Sequence, residues 1–139
     1  MDNFQKKIYE EFISKHKVLE GNQGAKRVFG FISSADNVSA MIAVSNVSLP
    51  ALTIMAKRLE ERFTNDSEFP LTERKNRLVV GKMISYILRQ YGYTSNEKCK
   101  QKRLIKKSKA TLFTMGGVYE KDTSIQPRRK LVFKIKERK

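Results

Sequence analysis

Apolar residues near the start of the chain recur at the spacing of an α-helix. Phe4, Ile8 and Phe12 lie four residues apart, so they share one face and predict a helix over residues 3–15. The apolar run of residues 27–32 is shorter, and its period does not distinguish a buried strand from a turn of helix. The sequence therefore predicts a helix for the first segment, whereas the secondary structure of residues 27–32 stays open.

Two further helices are predicted where capping residues precede an apolar period. Ser34 or Asp36 is expected to cap a helix that continues to about residue 45. Ser48 is expected to cap the next helix, over residues 49–63, and a proline in its first turn fits that assignment.

The clearest amphipathic pattern follows Thr72, which we expect to cap a helix that ends near Tyr91. Lys75, Lys82 and Arg89 are seven residues apart and therefore fall along one outer face of this helix. The opposite, apolar stripe consists of Val80, Met83, Ile84, Ile87 and Leu88.

The segment that follows carries the densest positive charge of the chain. Thr94 and Glu97 have the spacing of a capping box and predict a helix over residues 95–106. Seven of the twelve residues 98–109 are Lys or Arg. Such a helix presents several cations on one rigid surface, which is the arrangement that binding to a row of phosphates requires.

Beyond residue 109 the apolar period changes from helical to two. Residues 110–115 and 118–121 predict two strands that are joined by a tight turn at Gly116-Gly117. Residues 131–135 alternate apolar and basic side chains and predict a third strand with one cationic face. The polar residues 122–130 between them predict a basic loop.

Together these elements predict an α+β fold, in one domain over residues 1–139. We expect the helical N-terminal two-thirds to pack on a C-terminal antiparallel hairpin or three-stranded sheet. The order of elements resembles a winged helix, with a helix-turn-helix at residues 72–106 followed by a wing at residues 122–130.

A second helix-turn-helix candidate spans residues 36–63. Its turn, Ser45-Asn46-Val47-Ser48, resembles the turn of bacterial helix-turn-helix units, with Asn46 in a left-handed conformation. The second helix of this pair opens with apolar residues, which hydrogen-bond poorly to bases. We therefore expect it to form core or a partner-binding surface, with residues 49–55 as a candidate homodimer face. Which of the two candidates contacts the ligand stays open.

Composition indicates a polyanion as the partner. The chain has 29 Lys and Arg against 14 Asp and Glu, a formal charge of +15, and +11 of that charge follows Asn96. A solubility requirement alone would tend to spread the charge. The clustering therefore favours nucleic acid, ahead of an anionic membrane or an acidic protein.

We thus expect a non-enzymatic protein that binds nucleic acid, with double-stranded DNA favoured, as a small transcriptional regulator or accessory protein. Gln101 and Arg103 have side chains that can read adenine and guanine. An RNA-binding module, and a protein-interaction module or inhibitor that binds an acidic protein surface, are the alternatives. The expected phosphate contacts are Lys98, Lys100, Lys102, Lys106, Lys107, Lys109, Arg128, Arg129 and Lys130.

Residues that commonly carry catalysis are sparse. With one histidine, His16, and one cysteine, Cys99, neither a zinc site of ordinary spacing nor an internal disulfide can form. His16, at a helix end, is expected to be an incidental surface residue. Asp66, Glu68 and Glu73 are the candidates for a metal-dependent nuclease, but acids at such positions normally cap helices. We expect no catalytic residue, no metal and no cofactor.

The chain shows no membrane signal. No apolar run approaches the ~20 residues of a transmembrane helix, and residues 1–4 do not open a signal peptide. We expect a protein of the cytoplasm or nucleoid with no membrane partner.

Overall fold

The computed structural model describes residues 1–95 and 119–131. Within them the chain forms five α-helices, a 3-10 turn at Lys17–Leu19 and three short strands, so this part is α+β and mostly helical, as predicted. The helices are α1 (Asn3–Lys15), α2 (Gln23–Ser33), α3 (Ala35–Met41), α4 (Leu49–Phe63) and α5 (Arg74–Gln90). The strands are β1 (Asn46–Val47), β2 (Tyr93–Ser95) and β3 (Tyr119–Lys121).

Helix α1 has the bounds that its apolar spacing predicted. A capping box fixes its start: the Asp2 carboxylate accepts a hydrogen bond from the Gln5 backbone nitrogen at 2.8 Å, and Gln5 Oε1 accepts one from the Asp2 nitrogen at 2.9 Å. Ile8 and Phe12 are fully buried. The Phe12 ring packs with its centroid 5.5 Å from that of Phe29 in α2.

The apolar run of residues 27–32, whose type the sequence left open, is helical. Asn22 Oδ1 accepts a hydrogen bond from the Ala25 backbone nitrogen at 2.9 Å, so α2 begins before the run. Val28 and Phe29 are fully buried. The run therefore forms the inner face of a longer helix.

Helix α3 is shorter than predicted, and the turn after it is extended. Ser34 is its cap, one of the two predicted alternatives. The helix ends at Met41 rather than near residue 45, because the chain reverses and Ala43 N donates a hydrogen bond to Asn46 O at 2.8 Å. The prediction of a left-handed Asn46 is wrong, since Asn46 lies in β1 and no described residue other than glycine has a positive φ.

Helix α4 begins where its cap predicted. Ser48 Oγ accepts a hydrogen bond from the Ala51 nitrogen at 3.3 Å, and Pro50 occupies the first turn, where its missing N–H costs nothing. Leu52 and Met55 are buried in the core.

Helix α5 starts two residues later than its predicted cap. Glu73, not Thr72, holds the N-cap position, without a side-chain cap hydrogen bond. The Thr72 carbonyl oxygen instead accepts a hydrogen bond from Arg77 Nη1 at 2.7 Å. The helix ends before Gly92, whose φ of +90° is the left-handed conformation that a glycine adopts without strain.

The three strands form one antiparallel sheet in the order β1-β3-β2. Val47 of β1 and Ser95 of β2 both lie opposite Tyr119 of the central strand. The central strand thus joins a strand that precedes α4 to a strand that follows α5.

This sheet corrects the prediction of a helix that begins at Ser95, because Ser95 pairs with β3. The predicted strand at residues 118–121 is present as Tyr119–Lys121, although its described neighbours are β1 and β2. Leu131 lies in no strand. The remaining C-terminal predictions lie outside the described residues: helical positions 96–106, the strand at 110–115, the Gly116-Gly117 turn and positions 132–135.

One cluster of buried side chains joins the helices and the sheet. Phe12, Phe29 and Phe69 are among its largest fully buried members. Tyr93 and Tyr119 carry the sheet into the same cluster, each with 5% of its surface exposed. Helix α5 is thereby held between the other helices and the sheet, which fixes the orientation of its outer face.

Candidate nucleic-acid interface

Helix α5 exposes a row of cations on its outer face, as its seven-residue spacing predicted. Lys75, Lys82 and Arg89 are all exposed. A rise of about 1.5 Å per residue separates successive members by about 10 Å along the helix. Lys75 Nζ lies 3.6 Å from Glu73 Oε2, whereas Lys82 and Arg89 form no ion pair within the described part of the chain. Lys82 and Arg89 are thus exposed without a carboxylate at ion-pair distance in that part, although the charge of Arg89 helps to lower the pKa of Asp122.

A pocket of about 380 Å³ opens beside this row, between α1, α5 and the sheet. Helix α1 contributes His16, α5 contributes Lys82 and Arg89, and the sheet contributes Ser95 and Tyr119. Three side chains that can carry positive charge therefore line one pocket.

The wall of this pocket combines aromatic rings, among them Phe12 and Tyr86, with hydroxyl groups. Ser85 of α5 and the Tyr119 hydroxyl share a hydrogen bond of 2.6 Å, and burial raises the pKa of Tyr119. Ser95 Oγ is buried and has no hydrogen-bond partner among the described residues. Ser95 thus adds a further hydroxyl to the lining of the pocket.

His16 is the pocket residue that sequence reasoning undervalued, since it was taken as incidental. Its ring lies with its centroid 4.3 Å from that of Phe12, one helical turn earlier in α1. Burial lowers the pKa of His16, and the nearby charges of Lys82 and Lys15 lower it further. The four-residue spacing from Phe12, on the apolar face of α1, was a signal that this imidazole lies at the core edge.

The residues that flank positions 96–118 meet at this pocket. Ser95, just before these positions, lies opposite Tyr119, just after them, in the antiparallel pair of β2 and β3. Both of these residues line the pocket beside Lys82 and Arg89. The predicted contacts Lys98, Lys100, Gln101, Lys102, Arg103, Lys106, Lys107 and Lys109 lie within this segment, outside the described residues.

Arg128, a predicted phosphate contact, is occupied inside the protein. Its guanidinium donates to both carboxylate oxygens of Glu11, and Nη1 also donates to Gln90 Oε1 at 3.0 Å. The Tyr86 hydroxyl donates to the same carboxylate at 2.8 Å. The hydrogen bond from Arg128, which has the largest effect, and the hydrogen bond from Tyr86 lower the pKa of Glu11 to about 2.

Arg129 is similarly engaged, whereas Lys130 has no ion pair among the described residues. Arg129 Nη1 lies 2.9 Å from Asp2 Oδ2, and its guanidinium lies 5.1 Å from the centroid of the Phe4 ring. Lys130 is exposed and lines a second pocket of about 280 Å³ together with Lys121. In the predicted basic loop, residues 122–130, Arg128 and Arg129 therefore bind acids on or next to α1, and Lys130 is exposed to solvent.

The rival helix pair, α3 and α4, presents a more mixed surface. Arg62 lies over the Phe31 ring at 5.2 Å, and Arg58 donates to Asn37 Oδ1 at 3.4 Å. Of the candidate dimer face at residues 49–55, Leu52 and Met55 are core residues, and Ile54 is 54% exposed. This leaves a smaller apolar surface than the sequence suggested.

The acids considered for a nuclease have structural partners. Asp66 Oδ2 accepts a hydrogen bond from Arg27 Nη2 at 2.9 Å, and Asp66 Oδ1 accepts one from the Phe69 nitrogen at 3.0 Å. Glu73 Oε2 accepts a hydrogen bond from Asn76 Nδ2 at 3.3 Å, and Glu68 Oε2 accepts one from the Gln23 nitrogen at 3.2 Å. Over residues 1–95 and 119–131, no group of three His, Cys, Asp or Glu side chains is arranged to hold a metal ion.

Comparisons of the chain with protein-family models, with curated proteins and with solved structures found no match. In the described part of the chain, no helix has the length and apolar character needed to cross a membrane.

Proposed function

We propose that this protein is a non-enzymatic nucleic-acid-binding protein that binds double-stranded DNA through the outer face of α5 and the basic segment 98–109. The single observation that carries the proposal is where the longer stretch that contains this segment, residues 96–118, is attached to the described part of the protein. The residues on either side of that stretch, Ser95 and Tyr119, both line the pocket that Lys82 and Arg89 line. The stretch that includes the seven cations of residues 98–109 is thereby anchored at both ends beside the cations of α5.

The distribution of charge supports the same surface. Residues outside the described ranges carry eleven of the 29 basic residues and two of the 14 acidic residues, a net +9 of the total +15. Seven of those eleven belong to residues 98–109. A concentration of cations at one side of a protein raises both the affinity for a phosphate backbone and the rate of encounter with it.

The order of elements supports a revised winged-helix interpretation. In that interpretation α4 and α5 form the helix-turn-helix, α5 is the helix that enters the major groove, and the connection between β2 and β3 holds the wing's place in the order of elements. The sheet order β1-β3-β2, with β1 placed just before α4, fits this arrangement. Arg128 and Arg129 then belong to the support of α1 and not to the contact surface.

The test is fluorescence anisotropy with a labelled duplex of random sequence over a series of salt concentrations. The variant replaces Lys75, Lys82 and Arg89 together by alanine. The matched control replaces three exposed lysines on other helices, Lys6, Lys26 and Lys57, by alanine, so that the net charge falls by the same amount.

If each residue of the α5 row neutralises one phosphate, the slope of log K against log salt falls by about 0.9 for each, or about 2.7 in all. The control is expected to lose affinity through net charge alone, with a slope close to that of the wild type. Equal losses of slope in the two variants would contradict the placement of the interface on α5.

Structured RNA and single-stranded DNA are measured in the same experiment for comparison. A clear preference for structured RNA or for a single strand would replace the duplex assignment by an RNA-binding or single-strand-binding one. Weak binding to all three ligands at physiological salt would overturn the nucleic-acid proposal. A protein partner that stays bound after nuclease treatment would then favour an acidic protein surface.

A further inference from the structure

The pocket between α1, α5 and the sheet has the chemistry of an anion site. Its lining includes Lys82, Arg89, His16 and the Ser95 hydroxyl, which has no hydrogen-bond partner among the described residues. No carboxylate lines it within the described residues. We propose that this pocket receives one phosphate group of the bound nucleic acid, with His16 as the ligand that makes the affinity depend on pH.

The acids nearest to the pocket are already occupied. Asp122 accepts hydrogen bonds from the Ser124 nitrogen at 2.9 Å and from Thr94 Oγ1 at 3.4 Å. Glu11 is held by Arg128 and Tyr86. Glu11 is directed to Arg128, whereas the positive charge of Arg89 helps to lower the pKa of Asp122, so Arg89 already has an internal carboxylate near it. Among the described residues, Lys82 has no carboxylate within ion-pair distance, so an external anion is expected to bind chiefly between Lys82 and His16.

The groups that face His16 come from each element around it. Lys15 of its own helix lies with Nζ 5.5 Å from the centroid of the Tyr86 ring, and Lys82 projects from α5. Arg89 lines the same pocket. These charged neighbours of His16 are all positive, so in the free protein they disfavour a second proton on His16, in agreement with its lowered pKa.

A phosphate between His16 and Lys82 would reverse this balance. Its negative charge favours the imidazolium form, so binding raises the pKa of His16 and takes up a proton. By linkage, the affinity for nucleic acid rises as the pH falls through the two pKa values of the free and bound states. If binding raises the His16 pKa by one unit, the affinity for nucleic acid is about tenfold higher at a pH below both pKa values than at a pH above both.

The chain has one histidine, so the imidazole signals in a proton NMR titration belong to His16 alone. The experiment measures its pKa in the free full-length protein, with a saturating short DNA duplex, and with inorganic phosphate. The expected result is a higher pKa with the duplex. An unchanged pKa in a protein that still binds the duplex would overturn this inference and leave the proposed function standing.

The inference rests on the proposed function, and the phosphate titration separates the two. If the duplex does not bind, the proposed function fails. A rise of the His16 pKa with inorganic phosphate would then still support the pocket as a phosphate site, and an unchanged pKa would overturn it.

Variants identify the groups involved. Lys82→Gln is expected to raise the His16 pKa of the free protein, because a repulsive charge is lost, and to reduce the further rise with duplex. Lys26→Gln, which replaces an exposed lysine of α2 outside the pocket, should change neither pKa value.

A second experiment measures duplex binding by fluorescence anisotropy as the pH is lowered from 8 to 5.5. The affinity of the wild-type protein should rise by up to about tenfold, and His16→Gln should remove this pH dependence. A His16→Gln protein with the wild-type pH dependence would refute the role of His16.

Discussion

Replacing Glu11 by glutamine tests how the C-terminal segment is held to the helices. The Glu11 carboxylate binds the Arg128 guanidinium and the Tyr86 hydroxyl. The Arg128 backbone nitrogen donates to Gln90 O at 2.7 Å, so the same residue also binds the C-terminal end of α5. Glu11→Gln keeps the size of the side chain and removes its charge.

The expected cost follows from the pKa of Glu11. Its fall from 4.5 to about 2 corresponds to about 3 kcal/mol at about 1.4 kcal/mol per pH unit. The side chains of Glu11 and Arg128 are 38% and 35% exposed, so water screens the interaction. We therefore expect Glu11→Gln to lower the free energy of unfolding by about 1–2 kcal/mol at pH 7.

The pH dependence has a definite sign. The folded-state pKa of Glu11 lies below its ordinary value, so its contribution to stability is present above pH 4.5 and is lost as the pH falls towards about 2. The difference between wild type and Glu11→Gln should therefore shrink across that window.

Urea unfolding at pH 7, 4.5 and 2.5 measures this difference. Glu10→Gln is the matched control, because Glu10 is the exposed neighbour on α1 and forms no ion pair among the described residues. A Glu11→Gln variant as stable as the control at pH 7, or a difference that stays constant down to pH 2.5, would refute the reasoning.

Two further substitutions test the packing that positions the candidate interface. Gly24→Ala would place a Cβ 2.9 Å from the Phe69 backbone nitrogen, so urea unfolding should show that the free energy of unfolding falls by about 1–3 kcal/mol. Gly30→Ala is the control, because its Cβ would meet only the Met1 side chain, and it should be neutral or stabilising. Equal losses of stability in the two variants would contradict this argument. Tyr119→Phe removes the 2.6 Å hydrogen bond to Ser85 and should cost about 1 kcal/mol in the same assay, whereas an unchanged midpoint would contradict a native bond there.

The sequence predicted the helices well where a cap and an apolar period agreed. The bounds of α1, the Ser48 cap of α4 and the exposed row on α5 were all predicted from local residues, because their hydrogen bonds lie within one or two turns. The apolar period of residues 27–32 did not distinguish helix from strand, and the structure shows that α2 begins earlier, at the Asn22 cap.

The sheet could not be predicted in the same way. Its strands are two or three residues long, and β3 pairs with residues far away in the sequence, 46–47 and 93–95. Thr94 and Glu97 satisfied a local capping pattern, but Thr94 instead pairs with β3. Non-local pairing thus overrode a local signal.

The candidate site shows the same limit. Charge density alone indicated Arg128 and Arg129 as phosphate contacts, yet each lies beside an acid on or next to α1, a partner more than a hundred residues away. The pocket around His16 required three elements to come together, so no local pattern indicated it.

The ion pairs of Asp2 and Glu11 also have a consequence for how the protein is made. Their partners Arg129 and Arg128 lie 127 and 117 residues later in the chain. During synthesis α1 emerges before the segment that pairs with it, so more than a hundred further residues must be made before these acids are paired. Contacts of such long sequence separation form slowly, because much chain must be ordered before they are made. The closing of the C-terminal segment onto α1 is therefore expected to be a late step of folding.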